Sequence, residues 1–178
     1  VRIHEIKKHL QPYSILARRR TTISHAFASA IAPVELYDDA RVRRAIRALG
    51  QDPDQSLCCV YCDEPAETWD HVLATVAKGE FSGAGHVLAN LVPCCKPCNS
   101  RKGNKDWRTF IAGRDEPVEK RELRLRRIGA HLAAIDREAP LADAGEDFAA
   151  YQAIRGRILE LMAQADVIAA RIRSSSAR

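Results

Sequence analysis

Long apolar runs are what this sequence lacks first. Its apolar stretches are broken by polar or charged residues, and none reaches the roughly 20 apolar residues that a membrane-spanning helix needs. The opening segment VRIHEIKKHL has no apolar core of the signal-peptide kind, so a cytoplasmic, reducing environment is expected and no membrane partner. Internal repeats and low-complexity segments are missing too, which excludes a solenoid or a disordered tail as the main architecture. Cysteine is missing everywhere except between residues 58 and 98.

What is present is ordinary in bulk. The chain has 178 residues, 46% hydrophobic and 29% charged, enough for one domain with a true core or a compact site with helical additions. Charge is uneven. Residues 1–50 hold 10 Lys+Arg against 4 Asp+Glu, residues 51–100 hold 2 against 7, and residues 101–130 hold 10 against 5. Basic blocks flanking an acidic centre suit a polyanionic partner, with the acidic groups kept for metal binding. Charged helix surfaces alone would give the same counts.

Helical patterns cover residues 3–10 and 21–32, separated by QPYS and the run Arg18, Arg19, Arg20. DDARVRRAIRALGQ carries the clearest helix punctuation, with Asp38 or Asp39 to cap it and Gly50 to end it. ETWDHVLAT and HVLANLVP read as strands joined by the glycine-rich loop VAKGEFSGAG. A helix should start near Cys95 with Pro97 in its first turn. Another runs from Pro117 to about Arg137, with Leu125, Ile128, Leu132 and Ile135 inward. The last runs from about Glu146 to Arg173, with a heptad seam of Tyr151, Ile154, Ile158, Leu161, Ala165, Ile168 and Ile172. The short EAPLADAG between them predicts an antiparallel hairpin; a heptad is also compatible with a dimer.

The six cysteines form two clusters, Cys58, Cys59 and Cys62, then Cys94, Cys95 and Cys98. Reducing surroundings argue against a disulfide framework. Cys59 with Cys62 and Cys95 with Cys98 make two C-x-x-C pairs, the usual donors of a tetrahedral Zn²⁺ site. Cys58 and Cys94 are then spare thiols, although spacing alone leaves open the register that pairs Cys58 with Cys62 and Cys94 with Cys98. Between the knuckles lie Asp70 and His71 on a predicted strand and Asn90 on the next; Asn99 follows the last cysteine. Neighbouring strand residues face opposite ways, so Asp70 and His71 serve one site only if the strand bends. A carboxylate and an amide oxygen are hard donors that suit Mg²⁺, and a neutral imidazole can take a proton from water near pH 7.

CVYC, TWDHV and ANLVPCCKPCNSRKG, taken together, resemble the HNH (ββα-metal) endonuclease family over residues 59 to about 106. Asn99 stands where the family name has its second histidine, which makes this an H-N-N variant. The resemblance implies an α+β fold with a small, zinc-stapled ββα-metal nuclease core over 55–112. A helical, candidate DNA-binding region over 1–54 and a C-terminal helical hairpin over 113–178 would flank it. It implies His71 as the general base, Asp70 and Asn99 as ligands of one catalytic Mg²⁺ or Mn²⁺, and Asn90 as the residue that orients the imidazole. Cys59, Cys62, Cys95 and Cys98 would hold structural zinc, and Arg101, Lys102 and Lys105 would meet phosphates. His86 lies in the loop within reach of substrate, and Trp69 and Trp107 are expected to pack around the core.

The function expected is metal-dependent hydrolysis of DNA phosphodiester bonds, of a restriction or host-defence type by family analogy. The rivals are a non-catalytic zinc module that binds nucleic acid and an RNA-cleaving toxin nuclease. Arg18, Arg19 and Arg20, with arginines of the 41–47 and 121–127 helices, are candidates for outlying phosphate contacts. The chain would act as a monomer or homodimer.

Overall fold

The computed structural model describes residues 2–134 and 145–176. Among them the fold is α+β, with six α-helices and two small two-stranded sheets. A 3-10 helix, Ile3–Lys8, opens the chain. Helix α1 spans Ile15–Ile31 and α2 spans Asp39–Ala48. Strand β1 is Thr68–His71, β2 is Val76–Ala77, β3 is Glu80–Phe81 and β4 is Leu91–Cys94. Helices α3 (Lys96–Lys102), α4 (Trp107–Ala112), α5 (Val118–Ala134) and α6 (Gly145–Ser176) complete it.

Short-range signals set several boundaries. The Asp38 carboxylate accepts the Arg41 N–H at 2.8 Å, and Gly50 follows α2 at φ +73°, a conformation glycine adopts without penalty. Cys95 caps α3 in an extended conformation with proline in the first turn. Asp106 caps α4 through the Thr109 N–H at 2.9 Å. Two strands followed by a helix give the expected ββα order: β1 pairs antiparallel with β4, Asp70 opposite Val92 and His71 opposite Leu91, and α3 packs on β1.

The strands are shorter than their patterns. One bond in register, from the Val72 N–H to the Asn90 carbonyl at 2.9 Å, follows β1, and pairing stops there because the partner chain forms a 3-10 turn, Leu88–Asn90, before β4. The glycine-rich loop holds its own hairpin, β2 with β3. Lys78 and Gly79 turn it at φ +53° and +84°, matching the twist of a two-residue hairpin connection.

The chain forms two compact units, one of residues 1–27 with 143–178, the other of residues 28–142. These cut across the three-part division read along the sequence. α2 and α5 pack on one another in the same unit as the ββα elements. Their core joins Ile46, Leu49, Tyr61, Val72, Val92, Trp107, Ile111, Ile128 and Leu132. His131 of α5 is fully buried between the carbonyls of Ala45 (3.3 Å) and Leu91 (3.2 Å), fastening α2 and β4 to α5.

In the other unit α6 pairs with α1. Asp166 accepts from the Ser14 hydroxyl at 2.8 Å and from the N–H groups of Ile15 and Leu16 at 2.7 and 3.1 Å, so it caps α1 from 150 residues away. That cap explains why α1 begins before the arginine run and carries Arg18, Arg19 and Arg20 inside it. The buried Arg155 reaches the Ser24 hydroxyl at 3.1 Å, and the Tyr151 hydroxyl donates to the Phe27 carbonyl at 3.0 Å. The inward face is thus rotated off the predicted seam, of which Ile154, Leu161, Ile168 and Ile172 are exposed. Ile135 and the connection over 138–144 lie outside the described residues.

Candidate active site and metal centre

Four thiols converge where the two knuckles meet. The Sγ atoms of Cys59, Cys62, Cys95 and Cys98 all lie within 4.8 Å of one another, with Cys62 and Cys95 at 3.6 Å. Zinc bound tetrahedrally at ~2.3 Å would space its sulfurs by ~3.8 Å, so this set could hold a zinc-like ion. Backbone hydrogen bonds shape the first knuckle: Cys62 and Asp63 both donate to the Cys59 carbonyl, at 3.3 and 2.9 Å. Asp63 takes the left-handed conformation that this tight loop needs. The geometry chooses between the two registers. Cys58 is exposed, its backbone tied to Gln51. Cys94 is buried and directs its thiol at the Cys95 carbonyl, 3.2 Å away.

The charge around the cluster is ordered. Burial and neighbouring thiols push the Cys62 and Cys98 thiols up, and contact with Cys94 together with burial does the same for Cys59. Thiols packed this closely resist ionising together, and a dication at their centre would reverse that resistance. Arg101 Nη2 and Arg114 Nη1 stand 3.7 and 3.6 Å from Cys98 Sγ, donating to the sulfur of an ionised thiol. Arg101 therefore leans on the knuckle, also donating to the Pro97 carbonyl at 3.3 Å, while remaining exposed.

Arg124 ties α5 to the same knuckle. Its side chain is buried, forks onto both Asp63 oxygens at 2.9 and 2.7 Å, and reaches Glu116 at 3.1 Å. That bidentate pair holds the Asp63 carboxyl below its ordinary range.

β1 divides its side chains between two faces, as alternation requires. Asp70 points inward, 5% exposed. Its Oδ2 accepts from the Tyr61 hydroxyl at 2.7 Å and from Lys102 Nζ at 2.9 Å. Lys102 also donates to the His71 carbonyl at 2.7 Å, and its side chain is 0% exposed. This corrects the expectation of a phosphate contact at Lys102: the ammonium is an internal partner that fastens α3 to β1. Lys105 is exposed and donates to the Arg101 carbonyl at 2.9 Å. Trp69 is also corrected. It lies exposed on the His71 side of β1, whereas Trp107 is buried as expected.

His71 is half-buried, and its Nε2 meets Nδ1 of His86 at 2.9 Å, ring centroids 4.9 Å apart. Burial, then the neighbouring His86, holds His71 below the ordinary histidine value, with Asp70 acting in the opposite sense. The imidazole is therefore neutral near pH 7. Asn90 does not touch this ring. Its Oδ1 accepts the Leu73 N–H at 2.7 Å, and its Nδ2 donates to the carbonyls of Leu73 and Gly85, both at 3.0 Å. It clasps the segment after His71 to the segment before His86.

A hard divalent cation is consistent with the oxygens here. Asp70 Oδ1 and the half-buried Asn99 side-chain amide carry no hydrogen bond among the described residues, and they belong to β1 and α3, which pack together. A carboxylate and an amide carbonyl are donors of the type Mg²⁺ and Mn²⁺ accept. A nearby cavity of about 520 Å³ is walled by Val72, Leu73, Gly85 and Asn90, and neither histidine lines it. Arg18, Arg19 and Arg20 are exposed on α1. Consecutive helical residues diverge by ~100°, so the three do not share one face.

Reasoning along the sequence underrated His86, and it missed Tyr61 and Arg114. The one local sign for His86 was its place after SGAG, where paired glycines allow backbone segments to close on one another. The chain matches no protein-family model, no curated protein and no solved structure. No helix among the described residues is long and apolar enough to cross a membrane.

Proposed function

We propose that the unit of residues 28–142 is a metal-dependent endonuclease of the HNH type that hydrolyses DNA phosphodiester bonds. One observation carries the reading: β1 presents a half-buried imidazole and, as its neighbour in sequence, an inward carboxylate, against a helix whose Asn99 amide directly follows a member of the four-thiol cluster. Asp70 Oδ1 and the Asn99 side-chain amide, free of hydrogen bonds among the described residues, are oxygens that a zinc-binding module without chemistry does not call for.

In this mechanism His71 takes a proton from water as its oxygen attacks phosphorus. The bond from phosphorus to the 3′ oxygen breaks, and that oxygen leaves with the electron pair. A divalent cation held by Asp70 and Asn99 would supply Lewis-acid stabilisation of the charge on the phosphate and leaving oxygen. Asn90 fixes the strand end that carries His71. Cys59, Cys62, Cys95 and Cys98, holding zinc, staple β4 and α3 to the first knuckle and take no part in the chemistry. Arg101 near the end of α3 and Lys105 just after it are exposed cations for contact with the DNA backbone, and Lys102 acts by neutralising Asp70 inside the fold.

Incubation with supercoiled plasmid and Mg²⁺ or Mn²⁺ tests this directly. Cleavage is expected, and His71→Ala should lower its rate by ~10² to 10⁴ while leaving the far-UV CD spectrum and plasmid binding unchanged. Binding without cleavage by the native chain would support the zinc module instead. Cleavage confined to RNA would move the reading to an RNase.

A further inference from the structure

We infer that His86 is the positioning residue of the site: its Nδ1 accepts a hydrogen bond from Nε2–H of His71, so that Nδ1 of His71 keeps the lone pair that takes the proton from water. This deepens the proposed nuclease reading and rests on it.

The backbone around His86 is fixed from several sides. Its N–H donates to the Pro33 carbonyl at 2.7 Å, and its carbonyl accepts from the Glu35 N–H at 3.3 Å, a parallel bridge centred on Val34. Two residues on, the Leu88 N–H donates to the Glu35 carboxylate at 2.7 Å, and Glu35 is itself ion-paired with Arg41 of α2. One residue before, Asn90 holds the Gly85 carbonyl. Gly85 itself has no room for a side chain, since a Cβ there would overlap the Pro33 carbonyl oxygen. A loop residue meant only for solvent needs none of this bracing.

In the proposed arrangement the proton of this contact belongs to His71. A neutral ring has one N–H and one lone pair, and the contact at 2.9 Å ties up Nε2. If His86 donated, His71 would carry its proton on Nδ1 and have no free lone pair, so it could not act as a base. If His71 donates, Nδ1 is the free acceptor. The proposed arrangement thus places the proton of His71 on Nε2 and that of His86 on its own Nε2, the pair of tautomers in which His86 takes the acceptor part that a carboxylate or carbonyl takes beside other catalytic or metal-bound histidines. Asn90 then serves both rings at once through the backbone, which accounts for a buried amide whose three hydrogen bonds all go to the two histidine-bearing segments.

The test uses the full chain. Nitrogen-detected NMR of the ¹⁵N-labelled protein near neutral pH should give His71 in the Nε2–H form, and His86→Ala should convert it to the mixture of tautomers of a free imidazole. In single-turnover cleavage of a labelled DNA duplex with Mn²⁺, His86→Ala should lower the rate constant ~10- to 100-fold with duplex Kd unchanged. His86→Asn, which puts an amide oxygen where Nδ1 accepts, should recover part of the rate. An Nδ1–H tautomer of His71 in the native protein overturns the proposal whether or not DNA is cut. So does a native rate in His86→Ala when His71→Ala is inactive, an outcome that leaves the nuclease reading standing. Cleavage by His71→Ala at the native rate instead removes the reading on which the proposal rests.

Discussion

The unit around the cysteines and the pairing of α1 with α6 hold together in opposite ways. In the first, the decisive groups lie close in sequence: cysteines two residues apart, Asp70 beside His71, Asn99 beside Cys98. In the second, Asp166 reaches Ser14, Ile15 and Leu16 and Arg155 reaches Ser24, all of them partners more than a hundred residues away. Local motifs build a site whose chemistry can be read along the chain. Distant polar anchors build a scaffold whose partners cannot.

The contrast is tested most severely at the thiols. Cys95→Ser removes one of the four thiols without weakening the start of α3, since Cys95 makes no side-chain cap bond there and serine is a favoured cap. Structural zinc contributes about 10–16 kcal/mol of apparent binding free energy in small zinc domains, far above the usual margin of folding stability. Elemental analysis should find about one zinc in the native chain and none in the variant. Amide exchange should show residues 58–102 losing protection while the α1–α6 pairing keeps its own. Folded, protected native protein without zinc would sink the assignment of the cluster.

Lys102 carries the test inside the first unit. Its side chain is 0% exposed and its Asp70 partner 6%. Removing one partner of a buried pair costs ~3–5 kcal/mol, because the other charge is left without compensation. Lys102→Met should therefore lower the unfolding free energy by about that much, measured by denaturant titration. The double variant Lys102→Met, Asp70→Leu should recover most of it while remaining unable to cleave. Lys105→Met, three residues on and exposed, should be silent in stability. Equal effects at both lysines would contradict the burial described.

On the α1 side the expected effect is on binding rather than folding. Arg18, Arg19 and Arg20 diverge around the helix, so one or two of them can follow a DNA backbone together. Neutralising all three should reduce the slope of log K against log salt by ~0.9 for each phosphate they had neutralised, a total of about 1 to 2. An unchanged slope and affinity would confine DNA binding to the other unit.

How much of this was legible follows from range. The α2 cap at Asp38, the start of α3 at Cys95 and each C-x-x-C pair depend on residues within a few positions, and spacing exposed them. The hairpin at Lys78–Gly79 was within reach as well, since a glycine in a two-residue connection between short β-prone segments is a turn signal. Lys102 was misplaced because lysine is almost always at the surface unless paired, and its partner Asp70 sits far back along the chain. The backbone partners of Asn90 were not legible, because strand pattern locates a side chain on a face without saying which backbone it meets. The predicted α6 seam failed for a related reason. Apolar periodicity registers Ile154, Leu161 and Ile168 along with Tyr151; of these Tyr151 does bond to α1, but the other two anchors, Arg155 and Asp166, are polar residues that periodicity passes over.

The smallest effect is expected where the cap is most distant. Asp166 accepts from the first turn of α1, and the Ile15 N–H, then the Ser14 hydroxyl, hold its carboxyl below the ordinary aspartate value of 3.8. A carboxyl whose value is lower in the folded state stabilises that state above the unfolded value and ceases to do so as pH falls through the folded one. Asp166→Ala should therefore be less stable than the native chain near neutral pH, and the difference should shrink below about pH 4. Amide exchange at Ile15 and Leu16 reads it locally: both should lose protection in the variant at about pH 7, with β1 and β4 unaffected. A gap between native and variant that is the same at about pH 3 and about pH 7 would mean that the cap acts through packing alone. Unchanged protection at Ile15 and Leu16 would mean that α1 takes its start from its own residues, and the contrast between the two units would then rest on Arg155 and Tyr151.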